Sequence, residues 1–251
     1  MKLLISIITP TYNSEKYITE TYNSIISQTY TNWEWVVTDD CSTDETFSIL
    51  SNLSLKDKRV RVFRNSINSG AAISRNNSIS KSQGDYLAFI DSDDIWLSTK
   101  LEQQLEFMLS KGCSFSFTSY EIIEDNGKRI GKIVDNQHVE YVDYFDMLKK
   151  KATLGCSTVM LSKSDFDDLQ MPNIRTGQDY ALWLKLLKDN KKAYLLGSAL
   201  TLYRIVPNSI SRNKFRKAKR QWQIYREIAN LSFYESLFCF CFYAYRACLR
   251  K

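Results

Sequence analysis

Apolar residues fall along this chain in short continuous runs, each followed by a stretch with helical spacing. Leu3–Thr9 is an isoleucine-rich run, the pattern of a strand covered on both faces in a parallel sheet, and Pro10 is expected to end it. Ser14 stands where it could cap a helix that carries Ile18, Tyr22, Ile25 and Ile26 on one face. Trp33–Thr38 reads as a second strand, ending in Asp39-Asp40. Ser42-Thr43-Asp44-Glu45 has capping-box spacing and predicts a helix through Phe47 and Leu50. Val60–Phe63 is a short third strand, Asn68-Ser69-Gly70 a turn, and Ala71–Ser80 a helix of small residues. Gly84-Asp85 turns into a fourth strand, Tyr86–Ile90. This alternation predicts right-handed crossovers and a mainly parallel sheet.

Ser98 is the expected cap of the next helix, with Leu101, Leu105 and Met108 on one face. After Lys111-Gly112 the texture changes, and a boundary is drawn at residue 111. Phe115-Ser116-Phe117 alternates like a half-exposed strand, and Asp125-Asn126-Gly127 is a hairpin signal. Tyr144–Lys151 suggests a short helix and Ser157–Leu161 a strand. Gly177-Gln178-Asp179-Tyr180 opens a helix with Leu182, Trp183, Leu186 and Leu187. Ala193–Leu196 and Leu200–Arg204 look like two returning strands. From residue 212 a basic run (Arg212, Lys214, Arg216, Lys217, Lys219, Arg220, Arg226) precedes an aromatic one, Leu231–Leu249. Its uncharged core, Ser236–Tyr245, is about half the length a membrane-spanning helix needs. A basic segment followed by an aromatic one suits a helix lying in a membrane interface; a C-terminal helix packed on the domain or on a partner is the alternative.

A chain of 251 residues with 44% hydrophobic content can hold one large α/β domain or a domain with an appendage. The net charge of +6 suits phosphate-bearing partners or an anionic membrane, and nothing resembles a nucleic-acid-binding module. The six cysteines lack C-x-x-C spacing and read as reduced, mostly packed thiols of a cytoplasmic protein. The first eight residues stop too soon for a signal h-region and are expected to form a strand. The lone histidine, His138, lies in a polar stretch and is expected to be exposed and non-catalytic.

The chemistry concentrates in Asp91-Ser92-Asp93-Asp94, three carboxylates directly after a buried strand. Either an acid here starts the next helix, or the cluster awaits a cation; Mg²⁺ and Mn²⁺ favour such oxygen ligands and share them with substrate phosphate. Ligands of open α/β sheets bind beyond the carboxyl ends of the strands. Pro10-Thr11-Tyr12, Asp39-Asp40 and Asp91–Asp94 all fall at such ends.

Ile7–Asn13, Val36–Asp44, Gly70 with Arg75-Asn76, Gly84-Asp85-Tyr86 and Phe89–Asp94, in that order and spacing, resemble family 2 glycosyltransferases. Gln178-Asp179-Tyr180 with Trp183 resembles that family's later acceptor-side motif, so the likeness runs over about residues 3–210. It implies a GT-A fold: a nucleotide-sugar-binding half (1–111), an acceptor-binding half (112–211) and here a helical tail (212–251). It also implies inverting transfer from a nucleoside-diphosphate sugar, a UDP-sugar above all, with Mn²⁺ or Mg²⁺. Carried over by position, Pro10 and Tyr12 lie against the nucleotide, Asp40 holds the base with Asp39 nearby, and Arg75 helps hold the nucleotide. Asp91 binds the ribose beside Ser92, Asp93 takes the metal, and Asp94 supports that shell. Asp179 is the catalytic base, flanked by Gln178 and Trp183.

Elementary chemistry agrees. A ring stacks on a base, and a carboxylate accepts a base N–H. A carboxylate at a helix N-terminus is held ionised, as a base must be. Plainer readings remain at this stage: Tyr12 and Trp183 as core aromatics, Asp39 or Asp40 as helix-entry acids, Arg75 as an ion-pair residue, Asp179 as an N-cap.

Two departures from the family pattern matter. Gln178 stands where many relatives carry Glu, which predicts a changed acceptor contact. Tyr203-Arg204 is followed by Ile205-Val206-Pro207, where some relatives place a metal-binding histidine. That leaves the metal's protein shell thin, with Arg204 or Arg212 in position to neutralise the diphosphate. An aspartyl phosphatase would want Thr or Val where Ile95 stands, a nucleotidyltransferase a glycine-rich basic loop after the first strand, and a dehydrogenase G-x-G-x-x-G. The remaining alternative is a non-catalytic sugar-nucleotide-binding subunit of a membrane assembly. The sequence predicts a cytoplasmic enzyme, peripheral on the inner membrane face, acting on a glycan or lipid-linked glycan in O-antigen, capsule or other surface-polysaccharide assembly.

Overall fold

The computed structural model describes residues 2–137, 139–206 and 214–249; His138 and Arg212 lie outside them. The first half runs β1 (Ile5–Thr11), α1 (Ile18–Ile26), β2 (Trp33–Asp39), α2 (Thr46–Lys56), β3 (Val60–Arg64), α3 (Ala71–Lys81), β4 (Tyr86–Phe89), β5 (Ile95–Trp96) and α4 (Lys100–Lys111). It continues through β6 (Phe115–Ile123), β7 (Arg129–Val134), β8 (Tyr141–Val142), α5 (Tyr144–Leu148), β9 (Met160–Ser162), α6 (Gln178–Leu186) and β10 (Ala193–Arg204). Two tail helices follow, α7 (Lys214–Gln223) and α8 (Phe233–Leu249).

One sheet joins both halves, in the order β3-β2-β1-β4-β9-β6-β10-β5. The parallel expectation holds for β3-β2-β1-β4 and again for β6-β10. It fails at β9 and β5, which run antiparallel to their neighbours, so the sheet is mixed in its second half. Pro10 does not end β1 but lies within it, in register with Thr38. Ile8 faces β4, since its carbonyl accepts from the Ile90 N–H. Pro10, two residues on, faces the same side, past the last β1–β4 pair, where no ladder needs its missing N–H.

Helices cover both faces. Ile5, Ile7, Trp35 and Val37 pack with Ile18, Ile25, Leu101 and Met108 on one side; Ile8, Val36 and Phe89 pack with Ile79, Leu182 and Trp183 on the other. This two-sided cover corrects the half-exposed reading of Phe115–Phe117: β6 is buried at every position but Ile122. Gln104 of α4 reaches Ser116 on one face (3.0 Å), while Phe115 meets Trp183 on the other.

The expected caps are also corrected. Ser14 bonds Ser92 and the Tyr12 carbonyl, Ser42 accepts from the Asn13 N–H, and neither α2 nor α4 has a side-chain N-cap. Ser157 lies in a 3₁₀ turn, Cys156–Thr158, ahead of β9. The two returning strands are one strand, β10, bulged between Leu196 and Thr201.

The tail docks on the second half. A π-turn, Ile224–Ile228, links its helices and buries Ile224 and Tyr225. The Tyr225 hydroxyl donates to the Leu148 carbonyl at 2.6 Å. Among the described residues no helix is long and apolar enough to cross a membrane.

Candidate active site

At the end of β1 the chain turns through Asn13, whose φ of 48° is left-handed. The Asn13 side-chain carbonyl accepts from the Thr43 N–H at 2.9 Å, and its own N–H donates to Ser42 Oγ at 3.0 Å. The loops after β1 and β2 are thereby stapled together. Tyr12 sits in the first of them, 47% exposed, so its ring is a surface group and not a core aromatic.

Asp39 and Asp40 differ. Asp39 is fully buried, pairs with Arg64 and accepts from the Ser42 N–H. Asp40 is the anchor of the turn before α3. Its Oδ1 accepts from Asn65 and the Ser69 N–H, and its Oδ2 from the Gly70 N–H at 2.7 Å. A carboxylate offers about four lone-pair sites, so Oδ2 keeps one acceptor position. Gly70 enters α3 at φ +91°, a conformation glycine adopts without strain.

The acid cluster follows β4. Asp91 accepts from the Arg75 guanidinium across from α3, and its N–H donates to Ser157 Oγ at 3.0 Å. The same hydroxyl donates to Asp94, which also accepts the Arg204 N–H at 2.9 Å. Ser92 bonds Ser14 at 2.8 Å and so joins the cluster to the β1 loop. Asp93 is half-buried. Burial, and then the charge of Asp91, push its carboxyl up to about 6. Burial pushes Asp94 well above the usual carboxylate range, aided by Asp93 and Asp91 and opposed by its two hydrogen bonds. Adjacent carboxylates raised in this way mark a place where positive charge is short. Among the described residues no three His, Cys, Asp or Glu side chains converge on one point. A divalent cation held at Asp93 would therefore need substrate oxygens to complete its shell, the habit of Mg²⁺.

Arg75 connects this cluster to the second half. It is buried, and its Nε and Nη1 lack hydrogen-bond partners among the described residues. Burial works against its charge, but Cys156, Asp91 and Asp179 outweigh that penalty and hold its proton more tightly than usual. Burial pushes the Cys156 thiol itself far up, so it is neutral near pH 7 and the two carboxylates carry the effect. Asp179 therefore lies within electrostatic reach of the acid cluster's own arginine.

Asp179 occupies the first turn of α6, behind Gly177 at φ +72°, and lines a cavity of about 740 Å³. Gln178 is buried, and its Oε1 has no hydrogen-bond partner among the described residues. Trp183 is a core residue: fully buried, it packs against Phe89 and Phe115 and donates to the Leu154 carbonyl at 3.2 Å. Arg204 does not face open space. Its Nε donates to the Asp93 carbonyl (2.8 Å), its Nη1 to the Asp125 carbonyl (2.9 Å) and its Nη2 to Glu20 (2.5 Å). Ser157 and Asn65 bind the acids without having been singled out in the sequence; a serine or asparagine far from the motif gives no pattern to read.

A parallel sheet with acids at its carboxyl edge, extended by a mixed half that presents one more carboxylate, defines the class: a GT-A-type glycosyltransferase. The family described as Glycosyl transferase family 2 matches residues 6–169, and the chain belongs to it. The match stops short of Asp179. TuaG of Bacillus subtilis (strain 168), named for teichuronic acid biosynthesis, is 44% identical over all of this chain and 98% of its own length. WfgD of Escherichia coli, a UDP-Glc:alpha-D-GlcNAc-diphosphoundecaprenol beta-1,3-glucosyltransferase, is 40% identical over 88% of this chain and 85% of its own. In fold the chain resembles S. aureus TarS 1-349 in complex with UDP-GlcNAc, at a TM-score of 0.73 and 22% identity over 93% of this chain and 69% of that one. It also resembles the Pyrobaculum calidifontis mannosyltransferase PcManGT in complex with GDP-Man and Mn²⁺, at a TM-score of 0.70 and 16% identity over 96% and 69%.

Proposed function

We propose that the protein transfers a sugar from a UDP-sugar, with inversion, to a hydroxyl of a lipid-linked glycan during surface-polysaccharide assembly. One observation carries this reading: Arg75 is buried, bonded to Asp91 and under the field of Asp179, and its Nε and Nη1 have no hydrogen-bond partner among the described residues. Those donors suit diphosphate oxygens, which accept charge-assisted hydrogen bonds. Tyr12 stacks on the base, Asp40 accepts the base N–H at its remaining Oδ2 site, Asp91 takes the ribose hydroxyls, and Asp94 braces the loop. Asp93 would hold Mn²⁺ or Mg²⁺, which supplies Lewis-acid relief of charge on the departing diphosphate.

Asp179 takes the proton of the acceptor hydroxyl as that oxygen bonds to the anomeric carbon, and the bond to the diphosphate oxygen breaks on the opposite face. Residues 1–111 are thus the donor half and 112–211 the acceptor half. The UDP-glucose donor in WfgD's name and the UDP-GlcNAc complex of TarS support UDP as the nucleotide. A non-catalytic binding subunit is not favoured: the relatives matched over most of their length are named glycosyltransferases.

Peripheral attachment to the inner face of the cell membrane is the second part of the proposal. On α8, Tyr234, Leu237, Phe238, Cys241 and Tyr245 share one face and are exposed, while Ser236 and Cys239 on the opposite face are buried. A helix with an apolar outer stripe beside basic residues suits an anionic lipid surface.

The test is transfer from radiolabelled UDP-sugars to a diphosphoundecaprenol-linked sugar with Mn²⁺. Asp179→Asn should lower kcat by about 10²–10⁴-fold, the usual contribution of a general base, and leave UDP affinity unchanged. A fully active variant removes Asp179 from the mechanism, and transfer undiminished after chelation of divalent ions removes the metal.

A further inference from the structure

The cavity beside Asp179 is more than an opening for a neutral sugar. Its floor is the first turn of α6, and its walls come from α7, α8 and the segment around Lys150. Arg175, Lys217, Lys219, Arg220 and Arg246 line it, and Asp179 is the one acid among the described lining residues. The tail is pressed onto this floor: a Cβ on Gly177 would stand 3.1 Å from Ile224 Cδ1 and 3.9 Å from Arg220 Cγ. Arg246 Nε is buried in it without a hydrogen-bond partner among the described residues. The volume, about 740 Å³, is that of a small-molecule site. A neutral glycan hydroxyl needs none of this charge, and massed like charges around an empty space repel one another until an anion enters.

We infer that this cavity binds the diphosphate of a lipid-linked acceptor, placing the first sugar's hydroxyl at Asp179. It is a second phosphate site, separate from the donor site at Asp91, Asp93 and Arg75. The position of α8 fits a lipid carrier. Tyr243 and Arg246 face the cavity, while Tyr234, Leu237, Phe238 and Tyr245 are exposed, so the diphosphate enters beside a helix whose outer face is apolar. That the occupant is an acceptor rests on the transfer reading above; the phosphoanion site itself does not. An anionic membrane headgroup carries the same chemistry and is the competing source.

Direct binding tests the site without turnover. Farnesyl diphosphate carries the diphosphate and isoprenoid but no sugar to receive a transfer. It is titrated calorimetrically into the full chain with excess UDP and Mn²⁺, which keep the donor site filled. Binding is expected, with farnesol giving none, and Lys219→Gln with Arg220→Gln should weaken it at least tenfold. A melting temperature equal to wild type excludes misfolding as the cause, and the single variants serve if the double one melts early. Equal affinity in the variant, or binding seen only when UDP is omitted, overturns the proposal. So does a variant that loses vesicles containing phosphatidylglycerol yet keeps farnesyl diphosphate, since the cations then serve the membrane. Absence of sugar transfer by the wild-type protein from every UDP-sugar, with farnesyl diphosphate still bound, would defeat the transfer reading and leave the anion site standing.

Discussion

The buried guanidinium of Arg204 ties three segments to its own strand: the Asp93 carbonyl, the β6–β7 turn at Glu124 and Asp125, and Glu20 on α1. Its backbone N–H holds Asp94 as well. A lysine in its place has one nitrogen and cannot reach all of these acceptors at once. Arg204→Lys should therefore cost about 2 kcal/mol or more, the scale of losing charge-assisted hydrogen bonds. Denaturant melts would read this, and UDP affinity should fall with it because the Asp93 loop loosens. Unchanged stability would mean the clamp contributes nothing. In sequence Arg204 looks like a free cation at a strand end, available to a diphosphate. Only the closure of β10 onto β5 and β6 reveals its partners. The acids were legible for the opposite reason: a carboxylate directly after a buried strand is set by local pattern, and the sheet fixes where that strand ends. Ser157 was not, because its partners (it accepts from the Asp91 N–H, donates to Asp94, and its carbonyl accepts from Trp96 and Thr201) come from residues more than forty positions away.

Among the elements, α6 sets the Asp179 side of the site, and its start depends on Gly177. The residue sits at φ +72° with the tail's Ile224 3.1 Å from any added Cβ. Gly177→Val imposes both backbone strain and a clash, a cost of about 1–3 kcal/mol. The expected result is a lower melting temperature and faster proteolysis between α7 and α8, because the tail loses its seat; a tail as resistant as wild type would contradict this. The sequence marked α6 well, through Gly177 and its apolar spacing. It marked caps poorly. Ser14 and Ser42 have the right type and position for capping, but the two neighbouring loops need their hydroxyls more: Ser42 for Asn13, Ser14 for Ser92. β10 was read as two strands because the bulge at Gly197-Ser198 interrupts the apolar pattern.

For the molecule as a whole, the tail is a packed helix, and the proposed membrane contact rests on the face that packing leaves open. Its inner face packs, with Trp222 against Phe233 and Phe240, and its outer face leaves Tyr234 82% and Phe238 55% exposed. Leu237→Glu with Phe238→Glu should leave the fold intact, since both side chains are exposed, and abolish co-flotation with anionic vesicles. Co-flotation equal to wild type would exclude this stripe as the contact. The sheet order carries a different consequence, for biosynthesis. Asp94 is 110 residues from the Arg204 N–H that it accepts, and β10 is the strand that closes over β5. At roughly 5–20 residues per second on the ribosome, about 5–20 s pass between making the acid cluster and making its lock. During that interval the nascent first half lacks the bonds that hold the Asp91–Asp94 loop, so under the proposed function nucleotide binding should begin only after residue 204 has left the exit tunnel.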